Sequence, residues 1–252
     1  FYALVSPSHF MQFPGLHKSA QLFKRGFQSM VDLFYPQYCI CCEEKCLQSN
    51  ELFCEKCQYH VHPSDMFQYE TNPFTDHFQG RIPLVAGSAL FIYTKGGRVQ
   101  QMLEALKYKN KPEIGIKIGE RFGQILLNSK FVHGINCIIP VPLHKKRQIL
   151  RGYNQSEKFA KGLSEILNIP VRTDILSREI ATHSQVEKHR AERFENMQRV
   201  FRLLPASLKY EGSHFLLVDD VLTTGATLES CARELLQIKG SKISMLTIAM
   251  GK

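Results

Sequence analysis

The segment Phe215 to Val218 reads FLLV, four apolar residues in a row. A strand that shows one face to water alternates, whereas a strand without alternation is buried on both faces, the usual condition in a parallel sheet covered by helices. The run therefore predicts a layered α/β arrangement. The flanking sequence agrees. Val85 to Tyr93 (VAGSALFIY) reads as a strand, and RVQQMLEALKYKNK from Arg98 as a helix with Val99, Met102, Leu103 and Leu106 on one face. Ile118, Phe122, Ile125 and Leu126 form a second helical stripe. NCIIPVP is a strand that Pro140 and Pro142 must end. A helix is expected over Gln155 to Leu167, with Asn154 and Glu157 at capping-box spacing. Another runs from Leu228 toward Gly240, and KISMLTIAM is a last strand. Strand and helix in regular succession from about Arg81 predict an α/β fold with a mostly parallel sheet.

Directly after FLLV stand Asp219 and Asp220, then the small, hydroxyl-rich run Thr223, Thr224, Gly225, Ala226, Thr227, which leads into a helix. Open parallel sheets bind ligands at the carboxyl edge of their strands, so FLLV is expected to end there with the acids at the lip. A Thr-Gly loop entering a helix can aim backbone N–H groups, hydroxyls and the positive helix end at one phosphate, and Gly225 permits close approach. The two carboxylates, one sugar-length away, would accept hydrogen bonds from paired ribose hydroxyls or help to hold magnesium. Neither G-x-x-x-x-G-K-[ST] nor G-x-G-x-x-G occurs in the chain, which excludes the two commonest nucleotide loops. Lys145, Lys146, Arg147 and Arg151 follow the NCIIPVP strand as a basic loop, a cation density that suits an oligophosphate. The net charge of +9 favours an anionic partner without choosing among phosphate, nucleic acid and acidic lipid.

The region before Arg81 has little helical period and many cysteines. Six of the eight lie between Cys39 and Cys57, so the clustering is local chemistry rather than a chain-wide disulfide framework. Cys39 and Cys42 form one C-x-x-C pair, Cys54 and Cys57 another; two such knuckles supply four thiolates to one tetrahedral structural zinc. In a small module the metal adds folding energy that a tiny core lacks. Cys41, Cys46, His60 and His62 stand near enough to compete as ligands. Nothing approaches the roughly 20 apolar residues of a membrane helix, and the chain is read as soluble and cytoplasmic.

FLLVDDVLTTGATLES resembles the signature of type I phosphoribosyltransferases: apolar residues, two acids, then a T-T-G-A-T-like loop. Other segments narrow the resemblance to the ComF family of competence-related proteins. IIPVPLHKKRQILRGYNQSEKFAKGL is similar to its P-V-P, basic stretch and R-G-[FY]-N-Q; REIATHSQVEKHRAERFENMQRVF to its T-x-x-Q followed by R and N; LKYKN to its L-K-Y element; and the paired C-x-x-C to its amino-terminal zinc ribbon. The likeness runs from about Met30 to the end of the chain. Phe1 to Gln28, Cys41 and Cys46 fall outside it.

Residues 1–28 are read as a leader of unknown role. The resemblance implies a type I phosphoribosyltransferase fold, with a zinc-ribbon module over 29–80 and a phosphoribosyltransferase-like domain over 81–252. It implies binding of 5-phosphoribosyl 1-pyrophosphate with magnesium. Thr223, Thr224, Gly225, Ala226 and Thr227 would hold the 5-phosphate, Asp219 and Asp220 the ribose hydroxyls, and Lys145, Lys146, Arg147 and Arg151 the leaving pyrophosphate. Arg178 to Arg202 would form the flexible loop that closes over the transition state. Gln185, Arg190, Arg193 and Asn196 occupy its motif positions, and Arg190 and Arg193 join the two acids as catalytic candidates. Acceptor contacts are expected in a hood around Phe91 to Lys111. Two functions remain open. One is a glycosyltransferase that moves phosphoribosyl to an unidentified acceptor in competence and DNA uptake. The other is a non-catalytic, nucleotide-sensing module that acts through a helicase or single-stranded DNA.

Overall fold

The apolar runs meet in one parallel sheet. The computed structural model describes residues 38–46, 52–178 and 200–251. Its helices are α1 (Glu55–His60), α2 (Pro73–Asp76), α3 (Arg98–Tyr108), α4 (Pro112–Leu126), α5 (Lys145–Arg151), α6 (Gln155–Leu167) and α7 (Ala226–Leu235). Its strands are β1 (Leu84–Tyr93), β2 (Cys137–Pro140), β3 (Leu176–Arg178), β4 (Phe201–Leu203), β5 (His214–Leu222) and β6 (Lys242–Gly251). The main sheet has the order β1-β6-β5-β2 with every neighbour parallel, while β3 and β4 form a separate antiparallel pair.

The lack of alternation in FLLV has the expected cause. Leu216 and Val218 enter one core cluster, with the inward faces of α3, α4 and α6; Phe215 and Leu217 enter another, with Leu228, Cys231 and Leu235 of α7. All four FLLV side chains are fully buried, and burial of each such side chain contributes about 1.5–3 kcal/mol. Helices α4 and α6 cross where Gly119 and Gly162 face each other's backbones. A Cβ on Gly162 would overlap the Ile116 carbonyl oxygen, and one on Gly119 the Phe159 carbonyl oxygen. This close crossing, with Phe122 stacked on Phe159, fixes the start of α6 at the carboxyl edge of the sheet.

The cysteine-rich segment packs on the same core. Cys39, Cys54, Cys57 and Val61 share a cluster with Leu90, Phe91 and Met102, and the Phe53 ring meets Phe91 edge-on. Glu43 accepts from Lys109 and Lys111, both at 2.9 Å, and these two ammonium groups hold its carboxyl down to about 2. Farther along, Asn72 caps α2 by accepting from Phe74 and Thr75 N–H, while its amide donates to the carbonyls of Met66, Tyr69 and Gly87. That bond set ties α2 to β1 and seats Phe74 and Phe78 in the core.

Three expectations are corrected. The strand does not end at Val218: Asp219 pairs with Thr247 and Val221 with Ala249 of β6, so the acids lie within β5. Lys145–Arg151 is the helix α5, not a loop. The His144 ring accepts from Lys146 N–H at 3.2 Å, Gly152 closes the end at φ 76°, and the Lys, Arg, Gln and Leu residues between them are good helix formers. Asn154 caps α6 through Ser156 N–H at 3.1 Å rather than through a box with Glu157, and its amide donates to Val141 at the end of β2. Phe1 to Gln28, Gln185, Arg190, Arg193 and Asn196 lie outside the described residues. No helix among the described residues is long and apolar enough to cross a membrane.

Candidate functional site

Parallel strands end on one edge, so the residues after β1, after β2 and at the end of β5 converge there. Between them lies a cleft of about 610 Å³, a size typical of small-molecule sites. Its floor is Asp219 and Asp220, α3 forms one wall and the α5–α6 turn the other.

The acids differ in environment. Asp219 Oδ1 accepts from the Ser156 hydroxyl at 2.8 Å and from the Asp220 N–H at 2.8 Å. Burial and the adjacent Asp220 charge push its carboxyl up to about 7, against the opposing pull of Ser156, the Asp220 N–H and Lys107. Asp220 instead meets Lys107 Nζ at 3.0 Å. A carboxyl whose folded pKa lies above its unfolded value opposes folding wherever it must ionise. Stability is therefore lost as pH rises from about 4 to about 7 and the loss is complete above that. Asp219→Asn should accordingly melt higher than the parent protein at about pH 8, with the gap shrinking below about 7 and closing near 4. Melting both proteins by circular dichroism across that range checks this; a gap that ignores pH contradicts it.

The Thr-Gly run forms the turn from β5 into α7. Gly225 has φ 72°, a left-handed conformation natural to glycine. A Cβ there would meet His77 and Phe78 at 2.9–3.0 Å, so the turn is pressed on by the segment after α2. Arg81 adds an ion pair to Glu229 in the first turn of α7 at 2.9 Å. Thr223 and Thr227 line the cleft; Thr224 and Ala226 are exposed beside them.

Of the four basic candidates, Arg147 and Arg151 line the cleft, whereas Lys145 and Lys146 are exposed outside its lining. Helical geometry explains the split, since residues three and four apart share a face. Arg151 stacks on the Tyr108 ring, 5.4 Å from its centroid, and donates to Gln155 at 2.9 Å. Lys107, Ser156 and Arg178 also line the cleft; sequence reasoning counted Arg178 only as the start of the closing loop and Lys107 only within the hood, and gave Ser156 no role. Lys107 was within reach, because it is the Lys of the L-K-Y element; the contact of Ser156 with Asp219 spans 63 residues and has no local signal.

The cysteine centre lies away from the cleft. The sulfurs of Cys39, Cys42, Cys54 and Cys57 all lie within 4.8 Å of one another. A tetrahedral zinc with bonds of about 2.3 Å needs sulfur separations near 3.8 Å, so the donor set fits. Burial raises the Cys39 thiol, but backbone N–H groups of Cys42, Cys54 and Cys41 outweigh it and hold the pKa at about 7. Cys57 is pushed well up by burial and the neighbouring thiols. Cys41, Cys46, His60 and His62 are not part of this group.

A family profile described as Phosphoribosyl transferase domain matches residues 154–251, which include α6, the acids and the Thr-Gly turn. Competence protein F of Haemophilus influenzae is 29% identical over 151 residues, 59% of this chain and 66% of that protein. DNA utilization protein YhgH of Escherichia coli O157:H7 is 31% identical over 139 residues, 54% of this chain and 60% of that one. Competence protein ComFC of Bacillus subtilis is 28% identical over 162 residues, 62% of each. The matches span just under two thirds of these relatives' lengths.

Proposed function

This chain belongs to the ComF family, and from that premise we propose that its cleft binds 5-phosphoribosyl 1-pyrophosphate with magnesium and transfers the phosphoribosyl group to an acceptor during DNA uptake. The observation that carries the reading is the convergence, in one cleft, of a carboxylate pair, a Thr-Gly helix entry and two arginines. These are the three chemistries that a ribose with a phosphate at one end and a pyrophosphate at the other requires. Asp219 and Asp220 accept from the ribose hydroxyls. The turn from Thr223 to Thr227 holds the 5-phosphate with backbone N–H groups, hydroxyls and the positive end of α7. Arg147 and Arg151 receive the pyrophosphate as it leaves.

Magnesium, when bound, offsets pyrophosphate charge, and the carboxylates of the acid pair belong to its preferred oxygen donor class. Displacement at the anomeric carbon needs no protein nucleophile: position and charge stabilisation carry it. The acceptor enters along α3, whose Leu103 and Tyr108, with Tyr93, supply an apolar and aromatic surface to the same cleft. Residues 29–80, with the four-cysteine centre holding structural zinc, serve as a ribbon module on the domain that follows, and reduced thiols suit a cytoplasmic setting.

The test is pyrophosphate release from the phosphoribosyl donor with magnesium, screened over nucleobases, ammonia and glutamine. Release that depends on one acceptor and is lost in Asp219→Asn is expected. Saturable binding without release for any acceptor overturns the transferase and leaves a sensing module that acts through a helicase or single-stranded DNA.

A further inference from the structure

We propose that Lys107 is a counter-ion that changes partner: it holds Asp220 while the cleft is free of ligand and moves to a phosphate oxygen when a phosphorylated ribose binds. The inference rests on the phosphoribosyl reading of the cleft. Lys107 stands in the last turn of α3, with Nζ 3.0 Å from Asp220 Oδ2. The two side chains are 23% and 16% exposed, whereas the ion pairs at Glu43, Glu44, Glu165, Asp174 and Glu229 each include a side chain at least 40% exposed. Solvent and salt screen this pair less than rim pairs, and an ammonium at such a depth is costly to leave without an anion.

The ribose hydroxyls would compete for the carboxylate that Lys107 now holds. Both groups face the one cleft, so a docked sugar comes between them or takes the same oxygen. A phosphate oxygen carried in by the ligand would then compete for the ammonium with Asp219 and Glu104, the other carboxylates that line the cleft. A lysine suits such an exchange because its charge is compact and sits on a flexible four-carbon stem. Neighbouring contacts point the ligand's anionic end the same way. Tyr108, the next residue of α3, carries the Arg151 guanidinium on its ring, so one helix end presents an ammonium to the acids and an arginine support to the phosphate side. The exchange also gives Lys107 a gating role in the free protein, where it competes with any divalent cation for Asp220.

Lys107→Met keeps the stem and removes the charge; Lys107→Arg keeps the charge. Calorimetry on the full chain with the phosphoribosyl donor and magnesium should show about tenfold or greater weakening in Lys107→Met, the loss of one charge-assisted bond, and a smaller loss in Lys107→Arg. Manganese alone, followed by electron paramagnetic resonance, should bind Lys107→Met more tightly than the parent protein. A merely structural role would weaken both ligands together, and that result overturns the proposal, as does unchanged donor affinity in Lys107→Met. Near-ultraviolet circular dichroism confirms that each variant is folded. If the parent protein itself fails to bind the donor, the phosphoribosyl reading falls and this inference falls with it; parent binding with an unaffected variant removes the inference alone.

Discussion

Replacing Cys57 by serine is expected to lower the melting temperature by about 10 °C or more and to leave the protein without zinc. Cys57 is fully buried and belongs to the four-sulfur group. A structural zinc adds up to about 10–16 kcal/mol to the folding of a small module, and loss of one ligand forfeits a large part of it. For a domain of this size each kcal/mol shifts the midpoint by about 2–4 °C, so loss of even 4 kcal/mol gives the stated effect. The damage should spread, because the cysteines share a core with Leu90, Phe91 and Met102 of β1 and α3. Cys41→Ser is the matched control: its thiol is buried nearby but lies outside the group, and that variant should retain one zinc per chain. Calorimetric melting with metal analysis checks both. A Cys57→Ser protein that keeps its metal and its melting point would contradict the assignment.

Asp220→Asn is expected to weaken the phosphoribosyl donor roughly 10- to 100-fold while the protein stays folded. A carboxylate that accepts from a hydroxyl and sits near a ligand cation contributes about 1.5–3 kcal/mol, and each 1.4 kcal/mol is tenfold in affinity. The substitution also removes the anion that Lys107 holds, so the free cleft gains positive charge. Inorganic pyrophosphate alone should therefore bind no worse to the variant than to the parent protein, while the donor, which needs the diol contact, binds far worse. Parallel calorimetric titrations with the two ligands separate these effects. Equal weakening of both would mean that the acid acts on the shape of the cleft and not on the sugar.

How much of this could be read from the sequence depended on whether burial or distance set the answer. FLLV, the stripe at Val99, Met102, Leu103 and Leu106, and the helix beginning at Gln155 were legible because each buried face imposes a period on its own segment. The C-x-x-C pairs were legible because a knuckle is a local turn. The strand end was not, because Asp219 and Val221 are kept in β5 by pairing with β6 more than twenty residues away. Nor was α5, since a run of cations reports charge and not conformation; the His144 cap and Gly152 were the better signal. The Lys107–Asp220 pair and the packing of His77 on Gly225 join residues more than a hundred positions apart. No window of sequence contains both partners.

The most direct measurement is isothermal titration calorimetry of the zinc-loaded protein with 5-phosphoribosyl 1-pyrophosphate in the presence of magnesium. The account predicts saturable binding of one ligand per cleft that requires magnesium and disappears with chelation. A folded protein that gives no saturable heat at millimolar donor would contradict the assignment of Asp219, Asp220 and the Thr-Gly turn to a phosphorylated ribose.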